Sequence, residues 1–303
     1  MIPYLMLGWA AVGVAFSVRP DLSGPAVANL GAMVALYTAA RQGLLGRRAV
    51  LWIIFAVWTV NVAVGAAQAL GLDFGLIGQA AAPGGLLSNQ NLLGALIIAG
   101  MPAGGAVLGR WAGWVIVPAV VVLAETRCRA AWVALLGMGA WWGFWQVEGR
   151  WDRIYYGIMV AALVVVCVPM ALEVKSVQYR ATYAVNCLPI IAKKPLTGYG
   201  AGTFQIVYQV WDEPIAQIPD AEKRSPKRLH NDWLQAVVEH GVIYAGMMFW
   251  MWAAWCVKAA RRKDWAVSLS LGALGLVAAM DFPLQIPVHC AVFWMLGGVA
   301  DGK

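Results

Sequence analysis

Long apolar stretches alternate with short polar ones along the chain. The apolar segments have approximate bounds 2–18, 26–40, 49–70, 92–109, 111–125, 130–146, 154–171, 230–257, 266–282 and 286–300. A perpendicular helix needs about 20 apolar residues to cross a membrane, so the shorter segments predict tilted, broken or re-entrant helices. The first segment lacks a basic flank and a clear cleavage site, which predicts a retained helix. The pattern indicates an all-α polytopic membrane protein with about ten transmembrane helices.

Composition agrees with the apolar pattern. Of the 303 residues, 61% are hydrophobic and only 12% are charged, about half the charge of soluble domains. The net charge of +7 comes from basic residues between apolar segments, where topology and anionic membrane lipids explain it, and we expect no nucleic-acid partner. The five cysteines have unrelated spacings, which predict neither a metal site nor a disulfide framework.

Basic residues in the short loops predict the orientation, because cytoplasmic loops carry the excess of Lys and Arg. The opposite short loops contain only Arg19, Arg127 and Arg129. The cytoplasmic set is Arg41, Arg47, Arg48, Arg110, Arg150, Arg153, Lys258, Arg261, Arg262, Lys263 and Lys303. Both termini are then cytoplasmic, and the extended loop 172–229 faces the periplasm or cell exterior. With no repeat or linker, 1–303 is predicted to be a single transmembrane domain that includes this loop.

His230 is the first candidate for chemistry. It lies where the longest polar segment meets an apolar run, and Asn231 and Asp232 are residue types that begin helices. Histidine titrates near neutrality and is a natural general base for a reaction at a membrane surface. The alternative, a histidine that only caps or hydrogen-bonds its own loop, fits the position equally well.

Three arginines are predicted on the same side of the membrane as His230. Arg127 and Arg129 lie between two apolar segments, and Arg180 lies in the long loop. Arginine stays charged and forms forked hydrogen bonds to phosphate oxygens. Each alone is more often a headgroup contact, but together with the histidine they indicate a pocket for an anionic, phosphorylated substrate.

Four further polar residues are candidates for support. Glu239 lies about 13 Å deeper than His230 and on the opposite helix face, which favours anchoring to a neighbouring helix. Asn89 and Asn91 lie at a helix start, where capping explains them. Asp281 precedes a proline break of the kind that lets polar groups line a cavity.

Glycine dominates one turn of the long loop, with Gly198, Gly200 and Gly202 in sequence. Their spacing is not that of a dinucleotide fingerprint, and no strand is predicted before them. We interpret them as a tight turn that lets backbone approach backbone.

Five motifs in this order resemble the O-antigen ligase / O-antigen polymerase superfamily of membrane glycosyltransferases. The family's Ser-Arg-small helix start resembles Cys128-Arg129-Ala130, with cysteine in place of serine. Its arginine and Gly-rich turn resemble Arg180 and Pro195–Gly200. Its Asn-Pro-Asn resembles Asn89-Gln90-Asn91, with glutamine in place of proline. The remaining matches are His230-Asn231-Asp232-Trp233-Leu234 with Glu239-His240-Gly241, and Asp281-Phe282-Pro283.

The resemblance implies a metal-independent, inverting glycosyltransferase with a GT-C-like fold and no cofactor. Its donor is an undecaprenyl-pyrophosphate-linked glycan, and the active site faces the periplasm from the bacterial inner membrane. Lipid A-core is the leading hydroxyl acceptor, as in lipopolysaccharide biosynthesis. The implied roles are a base at His230, pyrophosphate binding by Arg129, Arg180 and Arg127, and support from Asn231, Asn89, Asn91, Glu239 and Asp281.

Several alternatives stay open at the level of the sequence. Polysaccharide polymerisation or protein O-glycosylation would use the same donor with another acceptor. A lipid-linked glycan transporter usually has internal repeats and charges at mid-membrane depth, neither of which is apparent here. A non-catalytic scaffold of the cell envelope would tolerate substitution of His230, Arg129 and Arg180.

Overall fold

The computed structural model describes residues 1–72, 83–154, 156–158, 160, 175–210 and 226–302. Every regular element in these ranges is helical, so the all-α prediction is confirmed. The helices are α1 (Ile2–Ala15), α2 (Pro20–Arg41), α3 (Arg47–Ala69), α4 (Gln90–Leu108), α5 (Gly113–Thr126), α6 (Arg129–Gln146), α7 (Lys175–Lys193), α8 (Phe204–Val210), α9 (Asp232–Arg261), α10 (Trp265–Ala278) and α11 (Pro287–Asp301).

Four of these helices are long and apolar enough to cross a membrane: α2, α3, α9 and α4 with its continuation to Trp111. Three shorter apolar helices are α1, α5 and α10. The chain is a membrane protein. The total of about ten spans stays a prediction, and the predicted segment 154–171 lies mostly outside the described residues.

Part of the predicted loop 172–229 is helical, and its periplasmic location stays a prediction. It contains α7, a helix of 19 residues, and the short α8. The apolar residues of α7 are interrupted by Gln178, Arg180, Thr182 and Asn186, so they form no continuous run. Such a pattern belongs to a helix with an apolar face.

The described chain forms two compact units. The first comprises Met1–Val34 and Val147–Met251, and the second comprises Ala35–Gln146 and Trp252–Lys303. In the second unit α4 is buried on nearly all sides, packed against α3, α5, α6 and α10. Small residues allow this approach, because a Cβ at Gly100 would overlap the Trp58 ring. The Trp58 indole N–H donates to the Ile97 carbonyl at 3.0 Å.

The first unit has its own hydrophobic core. Side chains from α7, the glycine turn, α8 and the start of α9 meet in it: Cys187, Ile190, Tyr199, Phe204, Val207, Tyr208, Leu229 and Val238. Tyr179, Tyr183, Ile191 and Leu234 pack around this cluster. The core therefore joins the helix that carries Arg180 to the segment that carries His230.

Candidate functional site

A break in α9 organises the first unit. Gly241 has φ 82° and ψ 171°, which interrupts the helix within its first third. This left-handed φ favours glycine, and a Cβ at Gly241 would also overlap the carbonyl oxygen of Leu196. The predicted apolar run 230–257 is thus two helical pieces joined at one glycine.

Backbone groups freed by the break find partners outside the helix. Beyond it, the Val242 N–H donates to the Pro195 carbonyl at 2.8 Å. Before the break, three consecutive backbone carbonyls each accept one hydrogen bond. The Val238 carbonyl accepts from the Tyr199 N–H at 3.0 Å, and the Glu239 carbonyl accepts from the Gly200 N–H at 2.8 Å. The His240 carbonyl accepts from the indole N–H of Trp9 at 3.0 Å. Pairing of these groups matters because unsatisfied backbone is costly at membrane depth.

The glycine turn makes this contact possible. Gly198 has φ 64°, and a Cβ there would overlap the backbone of Glu239. Gly200 has φ 107°, and a Cβ there would overlap the hydroxyl groups of Ser17 and Ser23. The prediction of a turn that lets backbone approach backbone is confirmed, and its target is the break in α9.

Glu239 fixes the turn through its side chain. Its buried carboxylate accepts from the Gly202 N–H at 2.8 Å, the Phe204 N–H at 3.3 Å and the Gln235 amide at 2.9 Å. Glu239 thus anchors α9 to the turn and to the first residue of a neighbouring helix, α8. The reason is the break, which brings the turn against this point of α9.

Gln235 links Glu239 to the segment beside His230, and sequence reasoning missed it. Its side-chain oxygen accepts from the Leu229 N–H at 3.0 Å, while its amide donates to Glu239. The available signal was the spacing of four residues between Gln235 and Glu239, which places both on one helix face.

His230 is held between two fixed neighbours. Leu229 is buried in the core on one side. On the other side, Asn231 caps α9, its side-chain oxygen accepting from the Leu234 N–H at 2.9 Å. The helix start predicted here is confirmed. His230 itself is half-buried and has φ 56°, a left-handed conformation that is uncommon for non-glycine residues and recurs at functional sites.

Arg180 lies in the same unit as His230. It is half-buried on α7, between Tyr179 and Tyr183 in the helix sequence, and both tyrosines pack against the shared core.

Burial raises the pKa of Tyr199 in that core, so its hydroxyl stays protonated and donates to the Ile190 carbonyl at 3.1 Å.

The second unit contains the other predicted arginines. Arg127 has φ 54° and ends α5, Arg129 begins α6, and both are exposed. Cys128 between them is fully buried, and its thiol donates to the Asn91 carbonyl at 3.7 Å. The small buried side chain leaves the two guanidinium groups at the surface. This pair is a concentration of positive charge at the ends of two apolar helices.

Asn89 caps α4, as predicted. Its side-chain oxygen accepts from the Asn91 N–H at 2.8 Å and the Leu92 N–H at 3.2 Å.

His289, which sequence reasoning missed, is fully buried and donates from Nε2 to the Leu92 carbonyl at 2.9 Å. Its only sequence signal was a histidine just after Pro287, at the start of the last apolar run. Asp281 is buried and accepts from the Phe282 N–H at 3.0 Å.

The predicted residues are thus divided between the units. His230, Asn231, Arg180 and Glu239 belong to the first, while Arg127, Arg129, Asn89, Asn91 and Asp281 belong to the second. Across the described ranges, no three or more His, Cys, Asp or Glu side chains group closely enough to hold a metal ion. The chemistry that these side chains offer is fixed positive charge and one half-buried imidazole.

Comparison with known families identifies the central part of the chain. Residues 114–251 match the family described as O-antigen ligase. Over this range the chain is similar to the O-antigen ligase family. The resemblance drawn from the five motifs is therefore confirmed, and a comparison with curated proteins finds no significant match.

The O-antigen ligase match includes most of the predicted site. Arg127, Arg129, Arg180, His230 and Glu239 lie within it. The motifs around Asn89 and Asp281 lie outside the matched range. The match thus covers the three arginines and the histidine on which the chemical interpretation depends.

Proposed function

We propose that the protein is a glycosyltransferase that moves a glycan from undecaprenyl-pyrophosphate to an acceptor hydroxyl, as an O-antigen ligase. The reaction takes place at the periplasmic face of the bacterial inner membrane, with lipid A-core as acceptor. The observation that carries the proposal is the family match over 114–251, a range that contains His230 and all three candidate arginines.

The proposed chemistry is a direct displacement at the anomeric carbon. The acceptor oxygen forms a bond to that carbon as the bond to the pyrophosphate oxygen breaks, which inverts the configuration. His230 takes the proton of the acceptor hydroxyl. Arg129, Arg180 and Arg127 stabilise the negative charge that develops on the departing pyrophosphate. The mechanism needs neither a metal nor a cofactor.

Two features support these roles. Arg127 and Arg129 are exposed, so their guanidinium groups are accessible to a lipid-borne anion. His230 is held by a buried neighbour and a capped helix, which restricts the imidazole as a positioned base requires. Asn231 and Glu239 support His230 through the cap and the turn, and Asn89, Asn91 and Asp281 support the second unit.

The proposed topology is a single GT-C-like membrane domain, 1–303, with about ten spans and cytoplasmic termini. Residues 172–229 form its periplasmic segment. The distribution of Lys and Arg supports this orientation. So do ion pairs between loops assigned to the cytoplasm: Arg47 pairs with Asp264 at 2.6 Å, and Asp301 pairs with Lys258 and with Arg41.

The test is glycan transfer by the purified protein in nanodiscs. The donor is undecaprenyl-pyrophosphate-linked oligosaccharide, and the acceptors are lipid A-core, a growing polysaccharide and a protein with accessible hydroxyls, all with EDTA present. We expect transfer to lipid A-core that survives EDTA and is lost in His230→Ala, Arg129→Gln and Arg180→Gln. Arg19→Gln is the matched control, because Arg19 is an exposed arginine that pairs with nearby Asp21 at 2.6 Å.

Each outcome separates one alternative. Transfer to polysaccharide or protein instead of lipid A-core would change the acceptor and make the protein a polymerase or a protein O-oligosaccharyltransferase. Full activity in His230→Ala would overturn the assignment of the base. A well-folded protein without any transfer would favour a transporter, tested by flipping of the donor lipid across vesicles, or a scaffold.

A further inference from the structure

Helix α7 has apolar residues on two opposite faces. One face packs into the core of the first unit through Tyr183, Cys187 and Ile190, spaced four and three residues apart. The other face is exposed and follows the same kind of spacing: Ala181, Val185, Leu188 and Ala192. At about 100° per residue, the centres of the two faces are about 160° apart.

The exposed face of α7 includes two large aliphatic side chains that are more than half exposed. Val185 is 60% exposed and Leu188 is 58% exposed, although both are branched aliphatic residues. Exposure of two such adjacent side chains to water is unfavourable in free energy, and contact with an apolar partner would stabilise this face.

A polar stripe separates the two faces along one side of α7. It consists of Gln178, Thr182 and Lys193, whereas Asn186, on the core side of this stripe, donates its side-chain amide to the Tyr208 hydroxyl at 3.1 Å. With these residues in its sequence, α7 is not among the helices long and apolar enough to span a membrane. A helix with one apolar face toward lipid and a polar stripe toward water belongs in the membrane–water boundary.

The exposed surface continues onto a helix that is a candidate span. Leu196 follows α7 and is 56% exposed, and the preceding Pro195 carbonyl accepts from the Val242 N–H of α9. Val242 and Ile243 are themselves exposed on α9. The apolar face of α7 is thus linked through Leu196 to the exposed apolar surface of a candidate membrane span.

Charge at the end of α7 fits the same surroundings. Lys193 ends the helix and is exposed, and Lys194 lies over the Tyr199 ring at 5.1 Å. Lysines at the C-terminal end of a helix are favourable to its dipole and also attract anionic headgroups.

We propose that α7 lies in the membrane–water boundary, with the Ala181–Val185–Leu188–Ala192 face in contact with the acyl chains of the adjacent leaflet. The polar stripe then faces water, and the Tyr183–Cys187–Ile190 face stays in the protein core. The occupant of the exposed face is lipid.

This placement has a consequence for Arg180 that rests on the proposed function. Arg180 lies about 200° around the helix from the centre of the polar stripe, on the flank that faces away from bulk water. A helix in the boundary holds the residues on its flanks near headgroup depth, where the pyrophosphate of a lipid-linked donor is found. A lipid-borne substrate needs its anion-binding residue at this depth, whereas a water-soluble one does not.

The experiment measures the depth of α7 in nanodiscs by quenching with brominated lipids. Single cysteines at Val185, Leu188 and Thr182, in a background whose native cysteines are replaced by alanine, carry an environment-sensitive fluorophore. We expect about twofold quenching by brominated acyl chains at Val185 and Leu188, because such a face is buried about 5–10 Å into the boundary. Thr182, at the centre of the polar stripe, should respond to a water-soluble quencher instead.

Three results would overturn the placement. Equal quenching at all three positions would contradict an oriented helix. Quenching of Val185 and Leu188 only from water would show that this face is hydrated. Protection of both from lipid and water quenchers would indicate that a second copy or another protein covers the face.

A second measurement avoids dependence on the cysteine-free background. A photoreactive benzophenone residue at Leu188 of the otherwise native chain should form cross-links to phospholipid, detected by mass spectrometry, whereas one at Thr182 should not. Absence of lipid adducts at Leu188 would reject the proposal. Neither measurement involves substrate, so failure here leaves the transfer assay unaffected, and failure of transfer leaves the depth of α7 unaffected.

Discussion

Gly202 donates its backbone N–H to the carboxylate of Glu239 at 2.8 Å. These residues are 37 positions apart, and their contact joins the glycine turn to the helix that begins beside His230. Gln235 extends the connection to the Leu229 N–H. The conformation of the proposed base is thus coupled to a turn that lies far from it in the sequence.

Gly241 and Gly246 form a matched pair for testing the break in α9. Gly241→Ala places a Cβ against the Leu196 carbonyl at a left-handed φ, so it should lower the free energy of unfolding by about 2 kcal/mol or more. Gly246→Ala has open space and a helical backbone, so it should stabilise by up to about 1 kcal/mol. Thermal unfolding in detergent measures both changes. Equal effects of the two substitutions would show that the turn does not press against the break.

Glu239→Ala should destabilise the protein more than Glu239→Gln. Alanine leaves the Gly202 and Phe204 N–H groups and the Gln235 amide without their acceptor, at about 1–3 kcal/mol for each buried group. Glutamine keeps one acceptor oxygen and so loses less. The measurement is the midpoint of thermal unfolding, with exposed Asp21→Asn as the control expected within about 0.5 kcal/mol of wild type. Similar midpoints for Glu239→Ala and wild type would contradict the anchoring role.

Gln235 is predicted to be a positioning residue for His230. Gln235→Met keeps the size of the side chain but removes the acceptor for the Leu229 N–H. Because small displacements of a catalytic group are costly, we expect kcat for glycan transfer to fall about tenfold or more, with KM little changed. Gln209→Met is the control, since Gln209 is exposed on α8. A parallel rise in KM with unchanged kcat would assign Gln235 to substrate binding instead.

Cys187 should behave as an inert thiol in the folded protein. Burial raises its pKa from 9.0 to about 12. The group therefore stays protonated in the folded state, and its contribution to stability is complete below pH 9.0 and is lost as pH rises toward 12. Alkylation followed by mass spectrometry should detect no labelling of Cys187 between pH 7 and about pH 9 until denaturant is added, whereas half-buried Cys290 should react sooner. Early labelling of Cys187 would show that the core of the first unit opens.

The sequence anticipated elements whose signals are local. Asn231 and Asn89 were expected at helix starts, and both cap helices, because an N-cap needs only a short side chain next to an apolar run. The helix α7 was missed because its polar stripe interrupts the apolar run that indicates a span. Its second apolar face does not appear when hydropathy is averaged over a window of consecutive residues.

The partners of Glu239 could not be predicted from its position. Periodicity along the helix predicts a depth and a face for Glu239, but it gives no information about which segment packs against that face. Gln235 and His289 were missed for the same reason, since each makes a hydrogen bond to a backbone group that has no sequence signature.

The sequence by itself determined that the protein is a helical membrane protein with motifs that resemble the O-antigen ligase family. Burial in lipid demands long apolar segments, and the order of these segments and motifs can be read directly from the sequence. Only the tertiary structure decided that Gly198 and Gly241 bring the turn against a broken helix and that α7 presents an apolar face outward. These depend on the approach of backbone to backbone across some forty residues, which steric fit and hydrogen bonding select and which composition does not encode.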